Sequence, residues 1–96
     1  RALLRALRPN VHHALAGIPG LRPLPTAANF VLCRIENPAV TSDQVTQCLA
    51  AQGILIRNCD GWPGLEPGRF IRLAIRMPEE NERLFTALRE ILQHGG

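Results

Sequence analysis

The chain is short, 96 residues and 10.6 kDa, and 46% of its residues are hydrophobic while 20% are charged. These values are typical of one globular domain and exclude a disordered or low-complexity segment. The net charge is +3, and all 11 basic residues are arginine. Because lysine is absent, no side chain in this chain can form a Schiff base with a carbonyl compound. Apolar runs are far shorter than the roughly 18–20 residues that span a membrane.

The first predicted element is an amphipathic helix in residues 1–18, since apolar residues recur at steps of three and four. Pro9 predicts a kink or a second start within it, and Pro19-Gly20 predicts its end. Because the chain begins inside this pattern, without methionine, we expect it to be part of a longer protein. The predicted apolar stripe is Leu4, Leu7, Val11, Ala14, Leu15 and Ile18.

Strands and helices alternate in the rest of the chain. After an extended piece in residues 21–24, a strand is predicted for residues 29–35, and Thr41 with Gln44 predicts a capping box for a helix over residues 42–52. The sequence then predicts a short strand over residues 54–57, a loop over 58–68, a strand over 70–76 and a helix from Pro78. This order predicts an α/β (α+β) two-layer sandwich, a small mixed or antiparallel sheet with helices on one face.

The strand over residues 70–76 suggests a binding site. Its alternation turns Ile71, Leu73 and Ile75 toward the helices and places Arg72 and Arg76 on the other face. Arg57, at the end of the neighbouring short strand, joins that face. Clustered guanidinium groups repel one another unless an anion lies between them, and arginine suits carboxylate and phosphate. The alternative is that these arginines are solvated or paired with carboxylates, for which the sequence offers Glu36, Asp60 and Glu66.

Other candidate residues leave more than one interpretation open. Trp62 lies in a glycine-rich loop and either packs there or contacts a partner, and Cys59 is either near a site or a buried, inert thiol. The adjacent His12 and His13 point about 100° apart on a helix, which favours a solvated face over a metal site. Three widely spaced cysteines argue against disulfides or zinc and suit a reducing, cytoplasmic compartment. We find no Ser-His-Asp set and no paired catalytic carboxylates.

Five blocks of sequence together carry a resemblance that covers nearly the whole chain. The chain resembles the C-terminal small domain of fold type I pyridoxal-phosphate-dependent aminotransferases, in the histidinol-phosphate aminotransferase branch. It is most similar to the threonine-phosphate decarboxylases of cobalamin biosynthesis, because Arg76 replaces a glycine usual in the aminotransferases and Asn58-Cys59 follows Arg57. The blocks are residues 25–32, 53–57, 63–65, 70–76 and 80–81.

The resemblance implies roles for three residues. Arg72 would bind the substrate α-carboxylate, Arg57 would contact a substrate phosphate and Asn29 would orient the wall of the site. Arg76, which strand alternation places on the same face, is a further candidate for substrate binding. Pyridoxal 5'-phosphate would be bound by a lysine of a missing large domain and not by this chain, which alone would be inactive. Residues 1–18 would end the helix leading from that domain, and the parent would be a cytoplasmic homodimer acting on a phosphorylated amino acid.

Two further classes of function compete with this one. A free-standing regulatory module that binds a metabolite anion would keep the arginine face and need no partner domain. A nucleic-acid-binding module would combine arginine with stacking aromatic residues. Only 4% of the residues are aromatic and the positive charge is spread along the chain, so we expect no nucleic-acid or membrane partner.

Overall fold

The computed structural model describes residues 2–25 and 29–94. Helix α1 (Ala2–Ala16) continues through Pro9, so the predicted restart at this proline is wrong. The predicted stop is confirmed, because a tight turn follows in which Gly20 has φ of 85° and lies 3.2 Å, measured from an ideal Cβ, from the Asn37 Cβ. A side chain at Gly20 would therefore be strained and crowded. The side chain of Leu4 and residues 26–28 of the first similar block lie outside the described part.

Four antiparallel strands form the sheet, in the order β1-β2-β4-β3. They are β1 (Leu21–Pro23), β2 (Phe30–Ile35), β3 (Arg57–Asn58) and β4 (Phe70–Ala74). Helix α2 (Ser42–Ala51) precedes β3, and helix α3 (Pro78–His94) follows β4. The structure therefore confirms the predicted α+β fold and decides that the sheet is antiparallel.

The core lies between one sheet face and the helices. Val31, Cys33 and Ile35 from β2 and Ile71 and Leu73 from β4 are fully or almost fully buried, as the alternation predicted. Helix α3 contacts both α1 and α2 and covers this face with a buried stripe. That stripe comprises Leu84, Phe85, Ala87, Leu88, Ile91 and Leu92. The opposite face carries the arginines and is covered only in part.

Helix α2 begins as predicted. The Gln44 amide donates to Thr41 Oγ1 over 3.2 Å, and Gln44 Oε1 accepts from the Thr41 amide over 2.8 Å, which completes the capping box. The following segment differs from the prediction, since residues 54–56 do not pair with β4 and the strand is only Arg57–Asn58. Ile54 donates its amide to the Leu49 carbonyl at the end of α2 instead. Residues 53–56 consequently diverge from β4.

Strand β4 is also shorter than predicted, ending at Ala74 rather than residue 76. The Ile75 amide still donates to the Asn29 carbonyl, over 2.9 Å. Arg76, however, has both backbone groups bound by the side chain of Asn81, which removes them from the ladder. Within the described residues, no helix is long and apolar enough to cross a membrane.

Candidate anion-binding site

Arg57 and Arg72 are the centre of the candidate site. They are direct partners in the antiparallel β3–β4 pair, so their side chains leave the same sheet face side by side. Arg57 is exposed and Arg72 is half-buried. The structure thus brings together the two arginines that the sequence assigned to one anion-binding patch.

The carboxylates that the sequence offered as partners are engaged elsewhere. Glu36 pairs with Arg22 at 3.2 Å, and Glu66 pairs with Arg34. Asp60 Oδ1 accepts the amide of Gly68 at 3.1 Å within the loop. Across the described part of the chain, neither Arg57 nor Arg72 lies within ion-pair distance of a carboxylate. Two like charges therefore lie directly opposite each other, with no carboxylate beside them among the described residues.

Two aromatic rings contact the Arg72 guanidinium. Its central carbon lies 4.6 Å from the centroid of the Phe30 ring and 5.6 Å from the centroid of the Trp62 ring, both within cation–π range. Phe30 belongs to β2, diagonal to Arg72 across the β2–β4 pair, whereas Trp62 comes from the loop after β3. The rings therefore come from two separate segments, a strand and a loop, and they remain partly exposed, at 36% and 37%.

The loop between β3 and β4 holds Trp62 in place through a series of turns. The Trp62 amide donates to the Cys59 carbonyl over 3.2 Å, and the Leu65 amide donates to the Trp62 carbonyl over 3.2 Å. The Asp60 bond to Gly68 then ties the beginning of the loop to its end. The lone tryptophan packs against Arg72 within this chain, and packing is one of the two interpretations that the sequence left open.

Cys59 is the first residue of this loop, directly after β3, and is only 1% exposed. Burial raises the pKa of its thiol, while the positive charges of Arg72 and Arg57 oppose that rise. The thiol is thus close enough to both arginines to sense their charge, yet it is covered. Both sequence interpretations hold in part, because Cys59 is near the site and buried.

Arg76 and Asn29 lie at the same end of the sheet, just beyond β4 and just before β2. Asn29 is exposed and directly precedes β2, and its carbonyl meets the Ile75 amide, which places it beside Arg76. The exposed Arg76 pairs with Glu80 at 3.9 Å. The buried Asn81 binds the Arg76 backbone twice, accepting its amide over 3.0 Å and donating to its carbonyl over 2.8 Å. Asn81 lay in a similar block, but no pattern in the sequence indicated this role.

A cleft opens where residues 53–56 leave the sheet. It has a volume of about 260 Å³ and is lined by Leu55 and Ile56 on one side and by Ala74, Arg76 and Glu80 on the other. Neither Arg57 nor Arg72 lines it. Arg76 therefore faces a space beside the arginine pair rather than between its members.

The arginine face and the fold can be compared with known proteins. No protein-family model matches the chain. Threonine-phosphate decarboxylase from Salmonella typhimurium is 41% identical over 81 residues, which are 84% of this chain and 21% of that protein. Histidinol-phosphate aminotransferase from Roseiflexus castenholzii is 37% identical over 91 residues, 94% of this chain and 24% of that protein.

Solved structures agree with these relatives. Histidinol-phosphate aminotransferase from Clostridium acetobutylicum superposes with a TM-score of 0.85 at 29% identity, covering 95% of this chain and 27% of that chain. The chain is homologous to the C-terminal region of the fold type I pyridoxal-phosphate-dependent aminotransferases and decarboxylases. L-threonine-O-3-phosphate decarboxylase from Porphyromonas gingivalis shares the fold of this C-terminal region, with a TM-score of 0.87 at 20% identity, over 96% of this chain and 28% of that chain.

The homology covers only part of each relative. The chain spans only 21% and 24% of the length of the two relatives named first. The fold described here therefore corresponds to the C-terminal region of these enzymes. Three quarters or so of each enzyme has no counterpart in this chain. The resemblance seen in the sequence is confirmed at the level of this pyridoxal-phosphate-dependent family.

Proposed function

We propose that this chain is the C-terminal small domain of a longer pyridoxal-phosphate-dependent enzyme and binds the anionic groups of its substrate. Arg72 binds the α-carboxylate of a phosphorylated amino acid and Arg57 binds its phosphate. Asn29 and Arg76 form the adjoining wall of the site. The observation that carries this proposal is the direct opposition of Arg57 and Arg72, with the nearby carboxylates already engaged.

The cofactor is bound by parts of the parent outside this chain. A homologous histidinol-phosphate aminotransferase from Sinorhizobium meliloti, 29% identical, has been solved in complex with pyridoxal-5'-phosphate. This chain contributes no lysine to hold such an aldehyde, so the amine comes from the missing large domain. Pyridoxal phosphate supplies an electron sink, whereas the residues described here bind and orient the substrate. Without the large domain the chain alone is inactive.

The reaction we favour is decarboxylation of a threonine-phosphate-like substrate in cobalamin biosynthesis, by a cytoplasmic homodimer. Support comes from Arg76 and from Asn58-Cys59 after Arg57, and from 41% identity to a threonine-phosphate decarboxylase. The second candidate is histidinol-phosphate transamination. Its support is equally specific, since a histidinol-phosphate aminotransferase from Desulfitobacterium hafniense is 40% identical over 95% of this chain.

The two reactions are separated by assaying the full-length protein with both substrates. A decarboxylase releases carbon dioxide from O-phosphothreonine, whereas an aminotransferase converts histidinol phosphate only when a 2-oxo acid accepts the amino group. Turnover of histidinol phosphate without release of carbon dioxide from O-phosphothreonine would replace the first candidate by the second. Absence of both reactions would overturn both candidates.

The role of Arg72 is tested by Arg72→Ala in the same full-length protein. Truncating one partner of a buried charged pair costs about 2–5 kcal/mol, and we expect a loss of this size in substrate binding. Arg22→Ala is the matched control, because Arg22 leaves the same face at the opposite sheet edge and pairs with Glu36. Equal substrate binding by the two variants would remove Arg72 from the site.

A further inference from the structure

We propose that Phe30 and Trp62 act as an aromatic clamp that positions Arg72, so that the arginine presents the edge of its guanidinium to the substrate carboxylate. This inference rests on the proposed function and adds two positioning residues to it. Its basis is the pair of ring contacts at 4.6 Å and 5.6 Å, one made by a residue of β2 and the other by a residue of the loop after β3.

Cation–π contact determines which part of the guanidinium remains available. A guanidinium that stacks parallel to an aromatic face keeps its in-plane N–H groups free. Those N–H groups are the ones that bind a carboxylate through two parallel hydrogen bonds. Since Phe30 and Trp62 occupy space beside Arg72, a ligand meets a guanidinium whose position is already fixed.

The clamp also lowers the entropic cost of binding. A free arginine side chain loses rotamer freedom when it binds, which weakens affinity by about 2- to 12-fold for each immobilised side chain. Arg72 is held before the ligand arrives, by rings that are themselves held by a strand and by a loop closed through Asp60 and Gly68. Fixing Arg72 in advance therefore improves affinity for the carboxylate.

Arg57 provides a contrast on the same face. It is exposed, and among the described residues only Arg34 and Arg72 have a guanidinium over an aromatic ring. Arg57 is thus free to adjust to a tetrahedral phosphate, whereas Arg72 is held for a planar carboxylate. The two opposed arginines differ in rigidity in the way that the two anionic groups of the substrate require.

The clamp is tested by ligand binding to the full-length protein after its cofactor has been removed, so that no turnover occurs. Isothermal titration calorimetry gives dissociation constants for O-phosphothreonine and for 1-amino-2-propanol O-phosphate, which lacks only the carboxylate. Their ratio, analogue over O-phosphothreonine, is the carboxylate preference. We expect Trp62→Leu to lower this preference by about 2- to 12-fold and Trp62→Phe to restore it to within about twofold.

Control variants separate positioning from packing. Leu65→Ala changes the same loop without removing a ring, and we expect it to keep the wild-type preference. Phe30→Leu removes the other ring and supplies a second test if Trp62→Leu fails to fold. In the Arg72→Ala background, Trp62→Leu should lower the preference no further, because the clamp acts only through Arg72.

The outcomes distinguish the clamp from the proposed function. If Arg72→Ala retains the wild-type carboxylate preference, the assigned role of Arg72 fails and the clamp fails with it. If Arg72→Ala abolishes the preference while Trp62→Leu and Phe30→Leu keep it, only the clamp is overturned. An equal effect of Trp62→Leu with and without Arg72 would likewise reduce Trp62 to a packing residue.

Discussion

Arg57 and Arg72 lie directly opposite each other across the β3–β4 pair, without a carboxylate partner in the described part of the chain. Like charges in this position destabilise a sheet, by an amount comparable with the 0.2–1 kcal/mol or so of a cross-strand pair. The fold therefore carries a small energetic penalty, which a bound anion would remove. This relationship makes the site measurable by stability as well as by activity.

Inorganic phosphate should stabilise the folded chain. Binding to the native state alone raises the free energy of unfolding by about 2.7 kcal/mol at 100 times the dissociation constant. We expect Arg57→Gln to raise stability slightly without phosphate, through lost repulsion, and to weaken the phosphate effect. Urea unfolding with and without phosphate, at constant ionic strength, measures both. A phosphate effect of equal size in Arg57→Gln and in the Arg22→Gln control would contradict the assignment.

Arg57→Ala should discriminate between ligands in the full-length protein. A phosphorylated ligand loses a charged contact in this variant, whereas the same ligand without phosphate loses none. We expect affinity for O-phosphothreonine to fall by about 1.5–3 kcal/mol, the range for a hydrogen bond to a charged group, with threonine affected much less. Calorimetry with both ligands measures the difference. Equal losses for both ligands would show that Arg57 does not contact the phosphate.

Asn81 should contribute strongly to the stability of the folded chain. Its amide satisfies both the N–H and the C=O of Arg76, so Asn81→Ala leaves two backbone groups without partners. Each buried backbone group without a partner costs about 1–3 kcal/mol. Because water reaches these two groups in part, we expect Asn81→Ala to lower the free energy of unfolding by about 2–3 kcal/mol. Urea unfolding measures it. Glu82→Ala, on the exposed side of α3, is the control and should change stability little.

The stability of the chain should fall at alkaline pH because of Cys33. Burial raises the pKa of this thiol from 9.0 to about 12. Between these values the unfolded chain loses the proton and the folded chain keeps it, so stability decreases by about 1.4 kcal/mol per pH unit. The chain contains neither lysine nor tyrosine, which simplifies the titration. Cys33→Ala should reduce the slope between pH 9 and 11 in urea unfolding, and an unchanged slope would assign it to other groups.

The sequence predicted much of the fold because its signals were local. The capping box of Thr41 and Gln44 and the alternation of β2 and β4 depend on neighbouring residues, and both are confirmed. The predicted bounds of β3 and β4 were wrong because they depend on tertiary contacts. Ile54 bonds to the end of α2, and Asn81 binds the backbone of Arg76, so neither segment continues the ladder.

The site could be predicted only in part. Alternation placed Arg72 on the free face, but its pairing with Arg57 depends on register, which the structure alone supplies. The contact between Trp62 and Arg72 crosses a turn-rich loop whose path no sequence period encodes. The position of Phe30 on this face could have been predicted, because strand alternation turns Phe30, Leu32 and Arg34 outward.

The short outer strands have a consequence for how copies of this chain meet. β1 and β3 are the two edges of the sheet and contain three and two residues, while the inner strands contain six and five. An exposed edge is a template for pairing with another chain, and short length or a proline makes it a poor one. Because β1 ends in Pro23 and β3 ends after Asn58, the sheet offers little backbone for a second copy to extend. The same brevity that opens the cleft beside Arg76 thus also protects the domain against edge-to-edge aggregation.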